Sequence, residues 1–478
     1  MRKYLIIILL LSTPSVYSQI NRFDKFLSDS TMTNASVSFV IADADSGNII
    51  YAYNPELNLI PASTMKLVTS SAAIELLGPE YTFKTTIGYT GYLNKRSGRL
   101  DGNIIISGGG DPTLGSDYFS DHYKDFLSSW AEEIKKAGIR KIKGRVVADD
   151  SYYDYEPAAP RWLWEDIGAY YGAGVYGLSV FDNSCKIKVK SSPDSSHVEL
   201  ISVTPLLPGY RFTNRLRASG NIENWYVYSV PYSSEGWLSG TIPVSSGEYV
   251  IDASIPDPPL LAATLLQKRL ESEGIDITDE TSTVRLSPEF STYNLKVITQ
   301  TVSPFLSLII EVLNKESVNL YAEHLVKELG KNYKNSGTKA AGIYVLNQFL
   351  EGAGIDTTTL FIEDGSGLSS RNGLNSECLV KLLIYMRNKG RYFPEFYSSL
   401  PDAGHNGTLS RYFSDPVFES NLKAKSGSMT RVRCYAGYFR TQSGKNMVFS
   451  IMVNNFQGTS RYIITNIEEV LKEIIIQK

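Results

Sequence analysis

Three short segments of this chain hold residue types that could do nucleophilic chemistry. Ser63-Thr64-Met65-Lys66 places a hydroxyl and an amine three positions apart, and on a helix that spacing puts both on one face. A serine is a weak nucleophile until a base takes its proton. A lysine whose charged form is disfavoured by burial or by neighbouring cations can be that base, and backbone N–H groups at a helix start favour developing negative charge. Ser317-Val318-Asn319 is the second segment; positions two apart do not share a helix face, so both side chains reach one site only from a turn. Lys425-Ser426-Gly427-Ser428 is the third, offering a cation, hydroxyls and close backbone approach to an extended substrate. Each has an ordinary alternative: an N-terminal helix residue, a helix cap, and a solvated strand end with a turn glycine. The Ser-x-x-Lys pattern also recurs at Ser336–Lys339 and Ser420–Lys423, so spacing alone does not select Ser63.

The elements around these segments are legible. Residues 35–52 alternate apolar and polar positions about a turn at Asp45–Asn48, which predicts a hairpin. After Thr64 the run MKLVTSSAAIELLG has helical spacing and stops at Gly78-Pro79, placing Ser63 where a loop turns into a helix. Strand-like runs at 103–107 and 144–150 flank a helical stretch, 123–137, and 192–250 is rich in strand and turn residues. Helices are expected at 260–273, 305–314, 320–329 and 340–351, strands at 433–440 and 447–454, and a last helix at 461–476. Opening and closing strands are expected to meet in one sheet. That gives a catalytic part of 19–80 plus 288–478, and an insertion, 81–287, made of a mixed α/β unit (81–191 plus 251–287) and a β-rich unit (192–250).

With 478 residues, 42% hydrophobic and 20% charged, the chain is a multidomain globular protein and not a disordered or fibrous one. A net charge of −3 gives no basic face for nucleic acid. Three cysteines and four isolated histidines make neither a metal site nor a disulfide framework, so no metal or cofactor is expected. Arg2 and Lys3, the apolar run 4–11 and small residues at 16 and 18 read as an export signal, residues 1–18. The expected location is periplasmic or extracellular, with no transmembrane span in the mature protein.

Taken in order, the three segments resemble the signature of the penicillin-recognising serine enzymes, S-x-x-K, S-D-N or a relative, and K-T-G. More narrowly the chain resembles the low-molecular-mass class C penicillin-binding proteins, the D-alanyl-D-alanine carboxypeptidase/endopeptidase family. The resemblance covers most of the chain: PASTMKLVTSSAAIELLG (61–78), GGGDPTL (108–114), GRVVADDSYY (144–153), YGLSVFDN (176–183), NKESVNLYAEHL (314–325), DGSGLS (364–369), GHNGTLSRYF (404–413) and KAKSGSM (423–429). Two positions depart from it. Ser426 stands where threonine is usual, and Ser370 precedes Arg371, which is therefore given no role.

The resemblance implies an α+β multidomain fold: a β-lactamase/transpeptidase-like domain, an antiparallel sheet flanked by helices, carrying a large inserted mixed α/β and β-rich region. It implies hydrolysis of D-alanyl-D-alanine bonds in peptidoglycan stem peptides and cross-links through an acyl-enzyme, with β-lactams as acylating ligands. Ser63 would be the nucleophile, Lys66 its base, and Ser317 a relay to the leaving amine. Asn319 would bind the substrate carbonyl and Lys425 would hold Lys66 neutral. The N–H groups of Ser63 and Ser428 would form the oxyanion hole, with Ser426, Gly427 and Ser428 along the substrate. Asp149 matches an acidic position that could face a substrate amine. The competing expectations are a β-lactamase or esterase on the same fold, and a non-catalytic cell-wall-binding protein.

Overall fold

The two ends of the chain build one antiparallel sheet, in the order Lys423–Met429, Val432–Arg440, Asn446–Asn454, Ser36–Asp43, Ile49–Tyr53. The computed structural model describes residues 20–192, 195–244, 247–290 and 294–477; the expected export signal lies outside them. Both faces of this sheet are covered, so its inner strands read as nearly continuous apolar runs. Alternate residues serve opposite sides: Val40 and Ala42 face one core, Phe39 and Ile41 the other. The first core takes the helix Lys66–Leu77 and the helices Leu306–Lys315, Asn319–Lys334 and Ser376–Lys389; the second takes Asn21–Leu27 and Ser460–Gln477.

Between Leu77 and Leu306 the chain forms three further sheets. A five-stranded mixed sheet runs Ser282–Thr283, Val146–Asp149, Ile104–Ser107, Lys84–Tyr89, Lys296–Val302, beside a small four-stranded one. Lys296–Val302 falls within the stretch that the sequence reading gave to the catalytic part; it pairs with Lys84–Tyr89 instead, so the two chain crossings lie side by side. The third sheet has six strands, with order Asn224–Tyr228, Glu235–Ile242, Arg211–Ala218, Ser195–Thr204, Ser184–Ser192, Glu248–Ser254. Helices Phe126–Lys136 and Pro258–Ser272 share one apolar core with these sheets.

The helix Asn319–Lys334 joins the two halves. Its residues from Leu320 to Gly330 are all buried, and its polar side chains find partners in the inserted region, as buried polar groups must. Tyr321 donates to Asp182 at 2.8 Å. The His324 ring lies 3.0 Å from both the Gly110 carbonyl and the Ser179 hydroxyl. Lys327 pairs with Asp154, and Glu328 accepts from Tyr152 at 3.1 Å and Tyr153 at 2.6 Å.

Candidate active site

Ser63 sits in a single 3-10 turn, Ala62–Met65, that runs directly into the helix Lys66–Leu77. Ala62 holds a left-handed backbone, φ 45°, a conformation that costs a non-glycine residue energy and is retained where surrounding structure imposes it. Gly367 packs directly against it. A Cβ at Gly367, φ +84°, would stand 1.8 Å from the Ala62 carbonyl oxygen, so only glycine lets the D-G-S-G loop press against the Ser63 turn.

Lys66 is fully buried. Its Nζ lies 3.0 Å from Ser63 Oγ, 2.6 Å from Asn319 Oδ1 and 2.8 Å from the Ser366 carbonyl. The last two partners can only accept. A neutral amine has two N–H groups for them and turns its lone pair on the Ser63 hydroxyl, the arrangement a general base needs. Burial lowers the Lys66 ammonium to about 7, against the opposing pull of Asp364 and Glu323.

Ser317 lies in the turn before the helix Asn319–Lys334, and Asn319 is that helix's first residue. The residue capping that helix is Val318, which supplies no side-chain cap, so the capping alternative for this segment is not what the structure holds. Ser317 has φ +60°, and its Oγ accepts from Lys425 Nζ at 2.9 Å. Asn319 Nδ2 donates to the Tyr171 carbonyl at 2.8 Å, which fixes the amide and leaves its other N–H for a ligand.

The third segment lies within the edge strand Lys423–Met429 rather than ahead of the strand that follows. Gly427 is required there: a Cβ would stand 2.5 Å from the Pro61 carbonyl and 3.1 Å from Thr64 N, so the strand could not lie against the Ser63 turn. Lys425 is fully buried and also donates to the Ser426 carbonyl at 3.1 Å. Its pKa is pushed well down by burial and then by the charge of Lys66. Burial is the main cause of the lowering at Lys66, and the two buried amines disfavour each other's charge. Ser426 Oγ donates to Thr408 Oγ1 at 2.8 Å.

Ser63, Ser317, Asn319, Ser426 and Ser428 all line one cleft of about 1160 Å³. Asp149 does not. Its carboxylate closes a local turn, accepting from Ser151 N at 3.1 Å and Ser151 Oγ at 2.6 Å. The acidic side chains that do reach the cleft include Asp166, in the one-turn helix Trp164–Ile167, Asp182 and Glu316; no periodic pattern marks them.

The D-G-S-G loop, to which no role is assigned from the sequence, positions Lys66 in the structure. Glu323 accepts from the N–H of Gly365 at 3.0 Å and of Ser366 at 2.7 Å, aiming the Ser366 carbonyl at Lys66. Asp364 accepts from Gly367 N, Ser369 N, Trp162 Nε1 and Asn372 Nδ2. Burial and the charge of Asp364 raise Glu323 to about 7. Two glycines and an acid in six residues were the available signal.

A D-alanyl-D-alanine carboxypeptidase of Actinomadura sp. (strain R39) is 28% identical over 455 residues, covering 91% of this chain and 80% of that protein. The crystal structure of penicillin-binding protein 4 (dacB) from Haemophilus influenzae superposes with a TM-score of 0.82 at 21% identity, covering 96% of this chain and all of that one. The same protein complexed with a β-lactam gives 0.77 at 22% identity, covering 93% of this chain and 97% of that one. These likenesses establish the fold, an α+β peptidase fold related to the β-lactamases and transpeptidases. The family profile described as the D-Ala-D-Ala carboxypeptidase 3 (S13) family matches residues 19–474, and the chain belongs to that family of serine-type hydrolases.

Proposed function

We propose that this chain is an exported DD-carboxypeptidase and DD-endopeptidase of peptidoglycan, with Ser63 as its acylated nucleophile. The observation that carries the reading is the pair Lys66 Nζ and Ser63 Oγ, 3.0 Å apart, with the amine buried and lowered to about 7. Near neutral pH a base poised in this way is half deprotonated.

In acylation Ser63 Oγ attacks the carbonyl carbon of the penultimate D-alanine while Lys66 takes its proton. The N–H groups of Ser63 and Ser428 hold the oxyanion. As the C–N bond breaks, Ser317 passes a proton to the leaving amine and draws on Lys425, 2.9 Å away. Asn319 holds the substrate carbonyl with its remaining N–H, and Ser426 and Ser428, with Gly427 between them, flank the terminal carboxylate along the edge strand. Water then attacks the ester, giving a proton back to Lys425 through Ser317, and Ser63 leaves with the proton held by Lys66. A free D-alanine leaving group makes the reaction a carboxypeptidase; a second stem peptide makes it an endopeptidase, and the cleft of about 1160 Å³ supports room for the larger group. A β-lactam ring presents a strained amide to the same serine. The basic and apolar residues 2–11 and the family's cell-wall substrates support export.

The test is incubation of the mature protein and its Ser63→Ala variant with a fluorescent penicillin, followed by intact mass and peptide mapping. A stable adduct on Ser63 alone is the expected result. Absence of an adduct on folded protein contradicts the reading, and rapid turnover of the penicillin would favour a β-lactamase instead.

A further inference from the structure

One lip of the cleft is the segment 163–171, in which Leu163, Glu165, Asp166, Tyr170 and Tyr171 line the cavity. Trp164 belongs to the same segment and points the other way, onto the six-stranded sheet. There it meets Tyr228 with ring centroids 4.9 Å apart and Trp237 at 5.8 Å. Tyr228 and Trp237 are cross-strand partners and stack at 5.2 Å with 25° between planes. Tyr226, two positions along the same strand face, continues the stack at 6.0 Å and 29°. The result is a run of rings that stays open to solvent: Trp164 is 56% exposed and Tyr226 38%.

Two features tie this run to the catalytic cleft. A Cβ at Gly168 would stand 1.8 Å from the Val227 carbonyl, so the lip lies directly on the strand that carries Tyr226 and Tyr228. The Ser254 hydroxyl then donates to the Ile167 carbonyl at 2.8 Å, holding the lip to the far strand of the same sheet. The rings and the cleft are the two sides of one fixed segment. Around the rings the surface is polar: Tyr226 stands opposite Ser239, and Ser239 beside the exposed Arg215.

We propose that this face binds a saccharide chain, the glycan strand to which the stem peptide in the cleft is attached. Flat rings with a polar border match a pyranose, which offers a C–H face to an aromatic side chain and hydroxyl, amide and carboxylate groups at its rim. A protein partner fits less well, because a stable interface needs about 800 Å² per partner with an apolar centre, and here the rings form a narrow strip flanked by the Arg211–Glu235 ion pair. The inference rests on the peptidoglycan reading above, since the identity of the occupant follows from the substrate. It assigns the β-rich unit a task, holding the polymer while the peptide end reaches Ser63.

The experiment uses the mature protein, Trp164→Ala and Tyr226→Ala, titrated with peptide-free glycan strands and followed by protein-observed NMR and affinity electrophoresis. Penicillin acylation of Ser63 is measured in parallel on every sample. Tyr226 lies outside the cleft, so acylation reports that its variant is folded. Wild-type binding that weakens roughly tenfold in each variant, about 1.4 kcal/mol, supports the proposal. Absence of wild-type binding in a protein that penicillin still acylates overturns it and leaves the peptidase reading intact. Glycan binding unchanged in both variants also overturns it, as does a face found to mediate self-association without binding glycan. Failure of acylation in the wild type is the separate result that removes the peptidase reading.

Discussion

Lys66 and Asn319, 253 positions apart in the chain, share a hydrogen bond of 2.6 Å. The amide oxygen takes one amine proton and so helps direct the lone pair toward Ser63. Because Lys66 is lowered to about 7 by burial, and because the base works deprotonated, acylation of Ser63 by a fluorescent penicillin should rise with pH through about 7 and then level. Asn319→Asp puts a carboxylate on the amine and favours its charged form. The midpoint should move upward by a unit or more, measured as the second-order acylation rate against pH. An unmoved midpoint would show that Lys66 is not the group being titrated.

Gly427→Ala should separate the edge strand from the nucleophile turn. The added Cβ stands 2.5 Å from the Pro61 carbonyl, backbone against backbone, so relief requires the strand to shift. Overpacking of this kind costs about 1–3 kcal/mol. Acylation is expected to fall by about a hundredfold, since displacements near 1 Å carry penalties of that order, with a lower melting temperature. Wild-type acylation in this variant would show that the strand need not approach Ser63 so closely.

Asp364→Ala leaves four donors without their acceptor: Gly367 N, Ser369 N, Trp162 Nε1 and Asn372 Nδ2. Each buried unsatisfied group costs about 1–3 kcal/mol, so the variant should be destabilised by several kcal/mol in urea unfolding. Asp364→Asn, which keeps an acceptor, should lose less. Equal losses in the two variants would point to charge rather than hydrogen bonding.

His324 should make the protein acid-labile before its carboxylates do. Gly110 O can only accept, so Nδ1 carries the proton and Nε2 takes one from Ser179. Burial holds the ring at about 3, against an ordinary 6.5. Between pH 6.5 and 3 the unfolded chain binds the proton that the folded one refuses. Stability therefore falls as pH drops through that window, by up to about 1.4 kcal/mol per pH unit from this group. Urea unfolding at a series of pH values measures the slope, which should flatten in His324→Gln; an equal slope in the variant would refute the assignment.

Much of this site could be read before folding because its chemistry is written in short segments. Ser63-x-x-Lys66 and Ser317-x-Asn319 each fix a local geometry, a turn entering a helix and a turn between helices, and periodicity found those helices to within a few residues. What stayed hidden was set by long-range contact. No local pattern shows that Lys296–Val302 pairs with Lys84–Tyr89, that Glu323 aims the Ser366 carbonyl, or that Asp149 turns its carboxylate inward to Ser151. Gly427 reads as a turn glycine until Pro61 appears beside it.

The buried helix Asn319–Lys334 has a consequence for how the chain unfolds. Tyr321, His324, Lys327 and Glu328 draw partners from outside the terminal sheet: Asp182, Ser179, Asp154, Tyr152 and Tyr153. Without those partners two charges and two polar rings would be left on a helix whose first residues, Asn319 and Leu320, line the cleft. Residues 78–305 are thus tied to the rest of the chain through one helix, and the two halves should melt in a calorimeter as a single cooperative unit.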